Sequence, residues 1–221
     1  MLTPEILLAA YAQGYFPMAM DREDSEIYWF SPEARGVLSI DAFNIPRGLK
    51  RFLPTQPFTL RVDSAFTAVM QACASIPRKQ EGSWINSEII DAYTALHARG
   101  FAHSVECWRA DKLVGGLYGV SIGGAFFGES MFSHESEASK VALVTLVEIL
   151  REAGYLLLDT QYVNAHLTQF GVEAISKRRY MTKLAKALKA SPNPSSLFST
   201  VSVRRGLASS SSVSVTRDSC T

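Results

Sequence analysis

The first part of the chain carries short apolar segments separated by turn residues. Thr3 suits a helix N-cap and Pro4 the first helical position, so the apolar spacing that follows them predicts an N-terminal helix. A short apolar run at 37–40 predicts a strand, and basic residues at helical spacing within 45–52 predict a short helix. Because a proline-containing join comes next, we expect a small N-terminal domain over residues 1–57.

From residue 58 the hydrophobic pattern is more regular and predicts a larger domain over residues 58–190. Its predicted elements are a strand at 58–62, two helices that carry Phe66 to Cys73 and Ile89 to His97, strands at 103–109, 112–120 and 125–132, a largely buried helix at 137–152, a strand at 155–161, and helices near 164–170 and 178–189. Tight turns join the three middle strands, which predicts an antiparallel meander. This order of elements is that of an acyl-CoA N-acyltransferase (GNAT-like) domain, so we predict an α+β fold of that type.

Composition limits the classes of protein that this chain can represent. The chain has 221 residues, of which 47% are hydrophobic, and a net charge of +1. These values exclude disorder of the whole chain, and they make any binding of nucleic acid depend on local basic clusters. Serine, proline and asparagine dominate from residue 191, so we expect a mostly disordered tail over 191–221.

The sequence carries the pattern of neither a metal site nor a membrane segment. The four histidines and three cysteines lack the spacing of metal ligands, so we expect no metal. No basic residue precedes Arg22, which argues against a secretory signal. The longest conspicuous uncharged run, at 113–128, is too short and too rich in glycine to span a membrane. We expect a cytoplasmic protein, and nothing in the sequence demands more than a monomer.

An acidic residue and an amide residue stand at the end of an otherwise apolar strand. Asp159 and Gln161 are separated by one residue, and such pairs point to the same face of a strand. A carboxylate can orient a neighbouring amide, so that the amide oxygen accepts a hydrogen bond from an attacking amine. The alternative is that Asp159 caps the turn after the strand.

A second candidate site lies in the strand that spans residues 128–133. Strand alternation predicts that Glu129 and Met131 share one face. A carboxylate on an inward face needs a partner, so this pair suggests a pocket with an apolar floor and one anion that holds a substrate amine. The alternative is that Glu129 faces water from an edge strand.

One known motif stands in the wrong structural context in this sequence, and another is absent from the place where the fold would need it. The segment Gly119 to Gly123 matches the G-x-S-x-G nucleophile elbow, but a turn and another strand follow Ser121 where the elbow requires a helix. This context argues against a serine hydrolase. The turn before helix 137–152 lacks the glycine pattern that grips pyrophosphate in acetyl-CoA enzymes of this fold, and its Glu135 and Glu137 would repel pyrophosphate. The chain can therefore have the GNAT-like fold and still use an acyl donor other than acetyl-CoA.

Basic and aromatic residues suggest contact with nucleic acid. Arg47, Lys50 and Arg51 lie at helical spacing, and a second basic cluster occupies residues 177–189. Such stripes bind phosphates in some proteins and are solvated helix faces in others. Predicted loops hold aromatic residues that either stack on a base or plug the core, namely Phe16, Tyr28, Trp29 and Trp84.

A series of short stretches runs along the chain in a fixed order. They are Phe16-Pro17, Ser31-Pro32, Arg35-Gly36-Val37-Leu38, Ala65-Phe66, Cys73-Ala74, Trp84-Ile85, Ala102 to Glu106, Val114 to Val120, Gly128 to Ser133, Ala138-Ser139-Lys140 and Asp159-Thr160-Gln161. In these stretches the chain resembles the bacterial leucyl/phenylalanyl-tRNA–protein transferases, over residues 5–185. Met18 departs from the pattern, because the family often has Trp after Phe-Pro.

The resemblance implies a reaction and its substrates. Members of this family move Leu or Phe, and less often Met, from tRNA to a protein whose N-terminal residue is Arg or Lys. The product carries a degradation signal. The implied fold is a small N-terminal domain followed by a GNAT-like domain. Since the family needs neither metal nor CoA, we expect no cofactor, and we expect Leu-tRNA and Phe-tRNA as donors.

The resemblance also implies roles for the candidate residues. Gln161 would accept a hydrogen bond from the attacking α-amine, and Asp159 would orient Gln161 and help to draw the proton. Leu117, Glu129 and Met131 would line the pocket for the side chain and amine of the donor. An apolar pocket distinguishes methylene groups by only ~1–3 kcal/mol, which suits an enzyme that accepts both Leu and Phe.

For the tRNA, the resemblance implies that Trp84 stacks on the terminal adenosine and that Arg47, Lys50 and Arg51 follow the phosphates of the acceptor stem. Two other functions stay open. One is a GNAT acetyltransferase that uses acetyl-CoA, which the missing pyrophosphate turn argues against. The other is a tRNA-binding module without catalysis, which would keep the basic clusters but would not need Asp159 and Gln161.

Overall fold

The computed structural model describes residues 1–20, 26–55, 58–76 and 83–192, so the tail expected over 191–221 lies almost wholly outside the described residues. The elements are α1 Pro4–Ala12, β1 Phe16–Ala19, β2 Ile27–Phe30, β3 Ala34–Leu38, α2 Arg47–Phe52, β4 Thr59–Val62, α3 Phe66–Ser75, α4 Ser87–Ala98, β5 Ala102–Arg109, β6 Lys112–Ile122, β7 Ala125–Ser133, α5 Ala138–Ala153, β8 Leu157–Gln161, α6 Ala165–Thr168, β9 Val172–Ser176 and α7 Lys177–Leu188, with a 3₁₀ turn at Leu53–Thr55.

A seven-stranded mixed sheet organises the fold, with strand order β4-β5-β6-β7-β8-β3-β9. Strands β4 to β7 are antiparallel neighbours, which confirms the predicted meander. Strands β7 and β8 are parallel, because α5 connects them across one face of the sheet. The predicted α+β architecture is confirmed.

The first strand of the large sheet comes from the N-terminal part of the chain. β3 lies between β8 and β9 and is antiparallel to both of them. The sheet therefore draws on residues on either side of position 57, and the division of the chain into domains at that position stays a prediction. β1 and β2 form a separate two-stranded hairpin.

Two hydrophobic cores lie on opposite faces of the sheet. Helix α5 covers one face and buries 12 of its 16 residues, which confirms the predicted buried helix. Helices α1, α3, α4 and α7 contribute to the core of the other face. Because each buried Leu, Val or Ile contributes about 1.5–3 kcal/mol, α5 is a main anchor of the sheet.

Candidate active site

A cavity of about 330 Å³ opens where strands β7 and β8 separate. The two strands pair only as far as Phe127 opposite Asp159, although β7 continues to Ser133 and β8 to Gln161. Apolar side chains form most of the wall, and they include Leu117, Met131, Leu143, Leu146, Leu158 and Leu167. Polar side chains also line the cavity, and they include Glu129 and Ser130 on β7, Thr160 on β8, Asn164 at the N-cap of α6 and His166 on α6.

A β-bulge in β7 places Glu129 beside this opening. Tyr118 on β6 pairs with Ser130, while the next residue, Gly119, pairs with Gly128, so Glu129 is the extra residue. The prediction that Glu129 and Met131 share one face is wrong, because the bulge resets the alternation. Met131 packs with Leu117 against the core beneath α5, whereas Glu129 contacts side chains on the other side of the sheet. Both residues still line the cavity.

The carboxylate of Glu129 lies among hydroxyl and amide donors. Its Oε1 accepts hydrogen bonds from the hydroxyl of Tyr11 at 2.6 Å and from Nε2 of Gln161 at 2.8 Å. The hydroxyl of Tyr93 lies 3.4 Å from Oε2 and also contacts the hydroxyl of Tyr11. Burial raises the pKa of Glu129 to about 7, although the hydrogen bonds from Tyr11 and Gln161 act to lower it. Glu129 is therefore not the water-facing residue of the alternative interpretation.

Asp159 is fully buried and its carboxylate is saturated with donors. Nε and Nη2 of Arg35 donate to it at 2.7–3.1 Å, and the hydroxyl of Tyr180 donates to Oδ2 at 2.7 Å. The backbone N–H of Gln161 donates to Oδ1 at 2.8 Å. The prediction that Asp159 orients the side-chain amide of Gln161 is wrong, because Asp159 binds the backbone and Glu129 binds the amide.

Arg35 holds Asp159 from the neighbouring strand β3. Its side chain is 1% exposed, lies between the rings of Phe16 and Tyr180 at 4.6 Å from each centroid, and donates through Nη1 to the carbonyl of Gly14. Burial lowers the pKa of Arg35, but its hydrogen bonds and ion pair with Asp159 outweigh that effect and raise it. In the sequence, Arg35 stands only in one of the short resemblance motifs, and no local pattern around it predicts a role.

Gln161 occupies a strained position at the end of β8. Its φ of 63° is left-handed, a conformation that costs a non-glycine residue about 1 kcal/mol or more, and the hydrogen bond to Asp159 holds it there. Gly36 lies opposite Gln161, where an added Cβ would come within 2.8 Å of the backbone of Tyr162. Because the amide nitrogen donates to Glu129, the side chain offers its oxygen as an acceptor.

Two buried polar atoms of cavity-lining residues have no hydrogen-bond partner within the described ranges. They are Oγ1 of Thr160 and Nε2 of His166. Burial and the nearby Lys140 lower the pKa of His166, which favours the neutral imidazole. A neutral imidazole can donate or accept one hydrogen bond at this nitrogen.

The residues expected to bind tRNA lie outside the cavity. Trp84 is half-buried against the core on the α4 side, and its carbonyl accepts a hydrogen bond from Ala19 at the end of β1. Arg47, Lys50 and Arg51 are exposed on α2, whose Leu49 is buried. The structure therefore gathers Asp159, Gln161, Glu129, Met131 and Leu117 around the opening and leaves these four residues outside it.

Other chemistries find little support in the described part of the chain. Ser121 lies within β6, and its hydroxyl contacts the hydroxyl of Tyr155 at 2.7 Å, so the nucleophile-elbow geometry is absent there. Across the described ranges, no three His, Cys, Asp or Glu residues are grouped as metal ligands. Within the same residues, none of the helices has both the length and the hydropathy that crossing a membrane requires.

Family models and similar proteins identify the family. The model for leucyl/phenylalanyl-tRNA protein transferase matches residues 37–185, and the model for the N-terminal domain of the same family matches residues 1–33. The leucyl/phenylalanyl-tRNA–protein transferase of Hyphomonas neptunium is 53% identical over 84% of this chain and 72% of its own length.

Two further relatives have the same name. The transferase of Paramagnetospirillum magneticum is 51% identical over 85% of this chain and 90% of its own length. That of Caulobacter vibrioides is 53% identical over 84% of this chain and 86% of its own length. The resemblance in the short motifs is confirmed, and this chain belongs to the leucyl/phenylalanyl-tRNA–protein transferase family.

Proposed function

We propose that this protein transfers Leu or Phe, and less often Met, from aminoacyl-tRNA to the N-terminal Arg or Lys of an acceptor protein, which marks the acceptor for degradation. The family membership supports the reaction. The observation that carries the proposal for this chain is the apolar cavity that ends at the Glu129–Gln161 hydrogen bond. Because the reaction consumes aminoacyl-tRNA, we place it in the cytoplasm.

We further propose that residues 58–190 form a GNAT-like catalytic domain behind a small N-terminal domain, 1–57. The meander, the parallel β7–β8 pair and the opening between these two strands support this fold. The acetyl-CoA alternative is weaker, because Glu135 and Glu137 stand in the turn before α5, where a pyrophosphate would have to bind.

The cavity suits an apolar side chain with a polar head. Leu117, Met131 and their leucine neighbours form a wall that tolerates both a branched aliphatic and an aromatic side chain. Glu129 borders this wall and offers an anion near the α-amine and ester of the donor. The partnerless atoms of Thr160 and His166 provide further contacts for the polar part of the donor.

Transfer from an aminoacyl ester needs little activation, because the ester is already reactive. The site must mainly hold the amine of the acceptor against the carbonyl carbon. In our proposal the amide oxygen of Gln161 accepts a hydrogen bond from that amine. Asp159 keeps the backbone of Gln161 in its left-handed conformation.

For the tRNA, we propose that Trp84 stacks on the terminal adenosine and that Arg47, Lys50 and Arg51 contact phosphates of the acceptor stem. Their exposure on one short helix supports the second role. In Lys50→Ala the slope of log affinity for Phe-tRNA against log salt should fall by about 1. The matched control is Lys112→Ala, at an exposed lysine on β6, and it should leave the slope unchanged. An equal change in both variants would contradict the role of α2.

The first test is transfer of radiolabelled leucine from Leu-tRNA to a protein acceptor that begins with Arg, beside the same acceptor beginning with Ala. We expect transfer to the Arg acceptor alone. Labelling of either acceptor from acetyl-CoA would support the acetyltransferase. Bound tRNA without any transfer would support the binding module and reject the proposed function.

A further inference from the structure

Peptide-bond formation at this site requires an acceptor for a proton. The N-terminal nitrogen of the acceptor protein starts as an ammonium group, whose pKa is about 7.7–8.0, and ends as an amide. It therefore loses two protons as the C–N bond forms and the C–O ester bond breaks. The 3′-oxygen of the ribose takes one proton as it leaves. The other proton must go to a base that works near neutral pH.

Asp159 is badly placed to be this base. Its two oxygens already accept hydrogen bonds from Arg35, Tyr180 and the backbone of Gln161, and none of its surface is exposed. A proton on Asp159 would leave the guanidinium of Arg35 buried without its counter-ion, which is energetically costly. The geometry of Asp159 is that of a positioning residue.

Glu129 has the geometry that Asp159 lacks. The bulge turns it out of the regular ladder of β7, it lines the cavity, and it accepts a hydrogen bond from the side-chain amide of Gln161. The two hydroxyls of Tyr11 and Tyr93 lie against it and against each other. Such a pair can donate to the carboxylate while it is ionised and can turn away once it is protonated.

Titratable or charged groups face Glu129 from each of the elements packed against it. Tyr11 faces it from α1 and Tyr93 from α4, and both phenols have a raised pKa because of burial, so they stay neutral. From the sheet and α7, the charges or dipoles of Asp159, Arg35 and Tyr180 also act on this site. Asp159 raises the pKa of Glu129 and Arg35 lowers it, and these two opposed effects belong to one ion pair.

We propose that Glu129 is the base that takes the proton from the α-ammonium group of the acceptor, that Tyr11 and Tyr93 accommodate its change of charge, and that Asp159 only positions Gln161. This inference rests on the proposed function. A second proton passes from the attacking nitrogen to the ribose 3′-oxygen as the ester bond breaks. The proton on Glu129 returns to solvent after the products leave.

The test is the pH dependence of single-turnover transfer from saturating Phe-tRNA, measured for the wild type, Glu129→Gln and Asp159→Asn. The wild-type rate should rise with pH through about 7, near the pKa of Glu129. In Glu129→Gln this rise should vanish and the rate should fall ~100-fold or more. Asp159→Asn should lose thermal stability and rate but keep a rise, which should move to lower pH because the charge of Asp159 raises the pKa of Glu129 and Arg35 lowers it.

Two further measurements separate this role from others. Tyr11→Phe removes a hydrogen bond that lowers the pKa of Glu129, so the rise should move to higher pH. Using an N-terminal Arg peptide and arginine amide, whose α-amines titrate at different pH, identifies any rise that belongs to the acceptor. A rise that follows the enzyme variant, and not the acceptor, supports the assignment.

Each contrary outcome rejects a different claim. If Glu129→Gln keeps the pH rise and only increases KM for Phe-tRNA, then Glu129 merely binds the donor, and the assignment is overturned. If the rise disappears in Asp159→Asn and persists in Glu129→Gln, Asp159 is the base. If the wild type binds Phe-tRNA but transfers nothing, the proposed function fails and the assignment fails with it.

Discussion

Asp159 and Glu129 are carboxylates on neighbouring strands, but their surroundings are opposite. Asp159 lies where β8 is still paired on both sides, and it meets a buried guanidinium and a phenol. Glu129 lies beyond the last pair between β7 and β8, and it contacts two phenols, an amide and a cavity. Asp159 is therefore held in an ion pair away from the cavity, whereas Glu129 borders it, and our proposal assigns a structural role to the first and a chemical role to the second.

The largest effect should come from breaking the ion pair of Asp159. Arg35→Met leaves a buried carboxylate without its counter-ion, and we expect a loss of ~3–5 kcal/mol in the free energy of unfolding. Urea unfolding measures this loss. Arg99→Met, at the exposed pair with Glu5, is the control and should cost less than about 1 kcal/mol. Equal losses in both variants would show that the buried Arg35–Asp159 pair matters no more for stability than the exposed Arg99–Glu5 pair.

The double variant Arg35→Met with Asp159→Leu separates the effect of the unpaired charge from the effect of lost packing. It removes both buried charges, so it should unfold at higher urea concentration than Arg35→Met alone. If the double variant is less stable than the single variant, the packing of Arg35 between Phe16 and Tyr180 matters more than its charge. Transfer activity should stay low in the double variant, since Asp159→Leu removes the backbone anchor of Gln161.

A smaller effect should come from the charge of Glu129. Its pKa is about 7 in the folded protein, against about 4.3 in the unfolded chain. Between these values the folded state holds a proton that the unfolded chain has released, so stability falls as pH rises through this window and is level above it. Glu129→Gln abolishes this dependence.

The measurement is urea unfolding of the wild type and Glu129→Gln at several pH values. The variant should gain stability relative to the wild type by on the order of 1–3 kcal/mol between about pH 4.5 and 7.5. The control is Glu33→Gln, at a 90% exposed carboxylate, and it should change nothing across this range. A constant difference between Glu129→Gln and the wild type would show that Glu129 is not held in the protonated form.

The smallest effect should be a change in donor preference at the wall beside Glu129. Met131→Phe fills part of the cavity, which should lower kcat/KM for Phe-tRNA relative to Leu-tRNA by ~10-fold. Leu156→Phe, at an exposed residue away from the cavity, is the control. An unchanged ratio in Met131→Phe would place the donor side chain elsewhere.

Local patterns in the sequence predicted the elements that depend on neighbouring residues. The meander has tight turns, and α5 has a continuous apolar surface, so both were visible in the hydrophobic pattern. β9 has only two buried residues among five, and β1 and β2 have four residues each, so they were missed. These strands depend on pairing with each other or with β3, which no local pattern reports.

The site was predictable in part for the same reason. Asp159 and Gln161 stood out because polar residues end an apolar strand, and Glu129 because strand alternation predicted an acid beside Met131 on an inward face. Arg35 looked like an ordinary residue of a short segment, since its partner lies 124 residues away. The bulge was also invisible, because one extra residue changes which face Glu129 occupies without changing the composition of the strand.

The position of β3 between β8 and β9 has a consequence for folding during synthesis on the ribosome. Arg35 is synthesised early, but the strands on both sides of it, Asp159 and Tyr180 come near the end of the described chain. On the ribosome, Arg35 therefore stays without its partners until the chain has emerged as far as Tyr180. Transfer activity should appear only after residue 180 has left the exit tunnel, because Asp159 and its anchor on Gln161 depend on these late contacts.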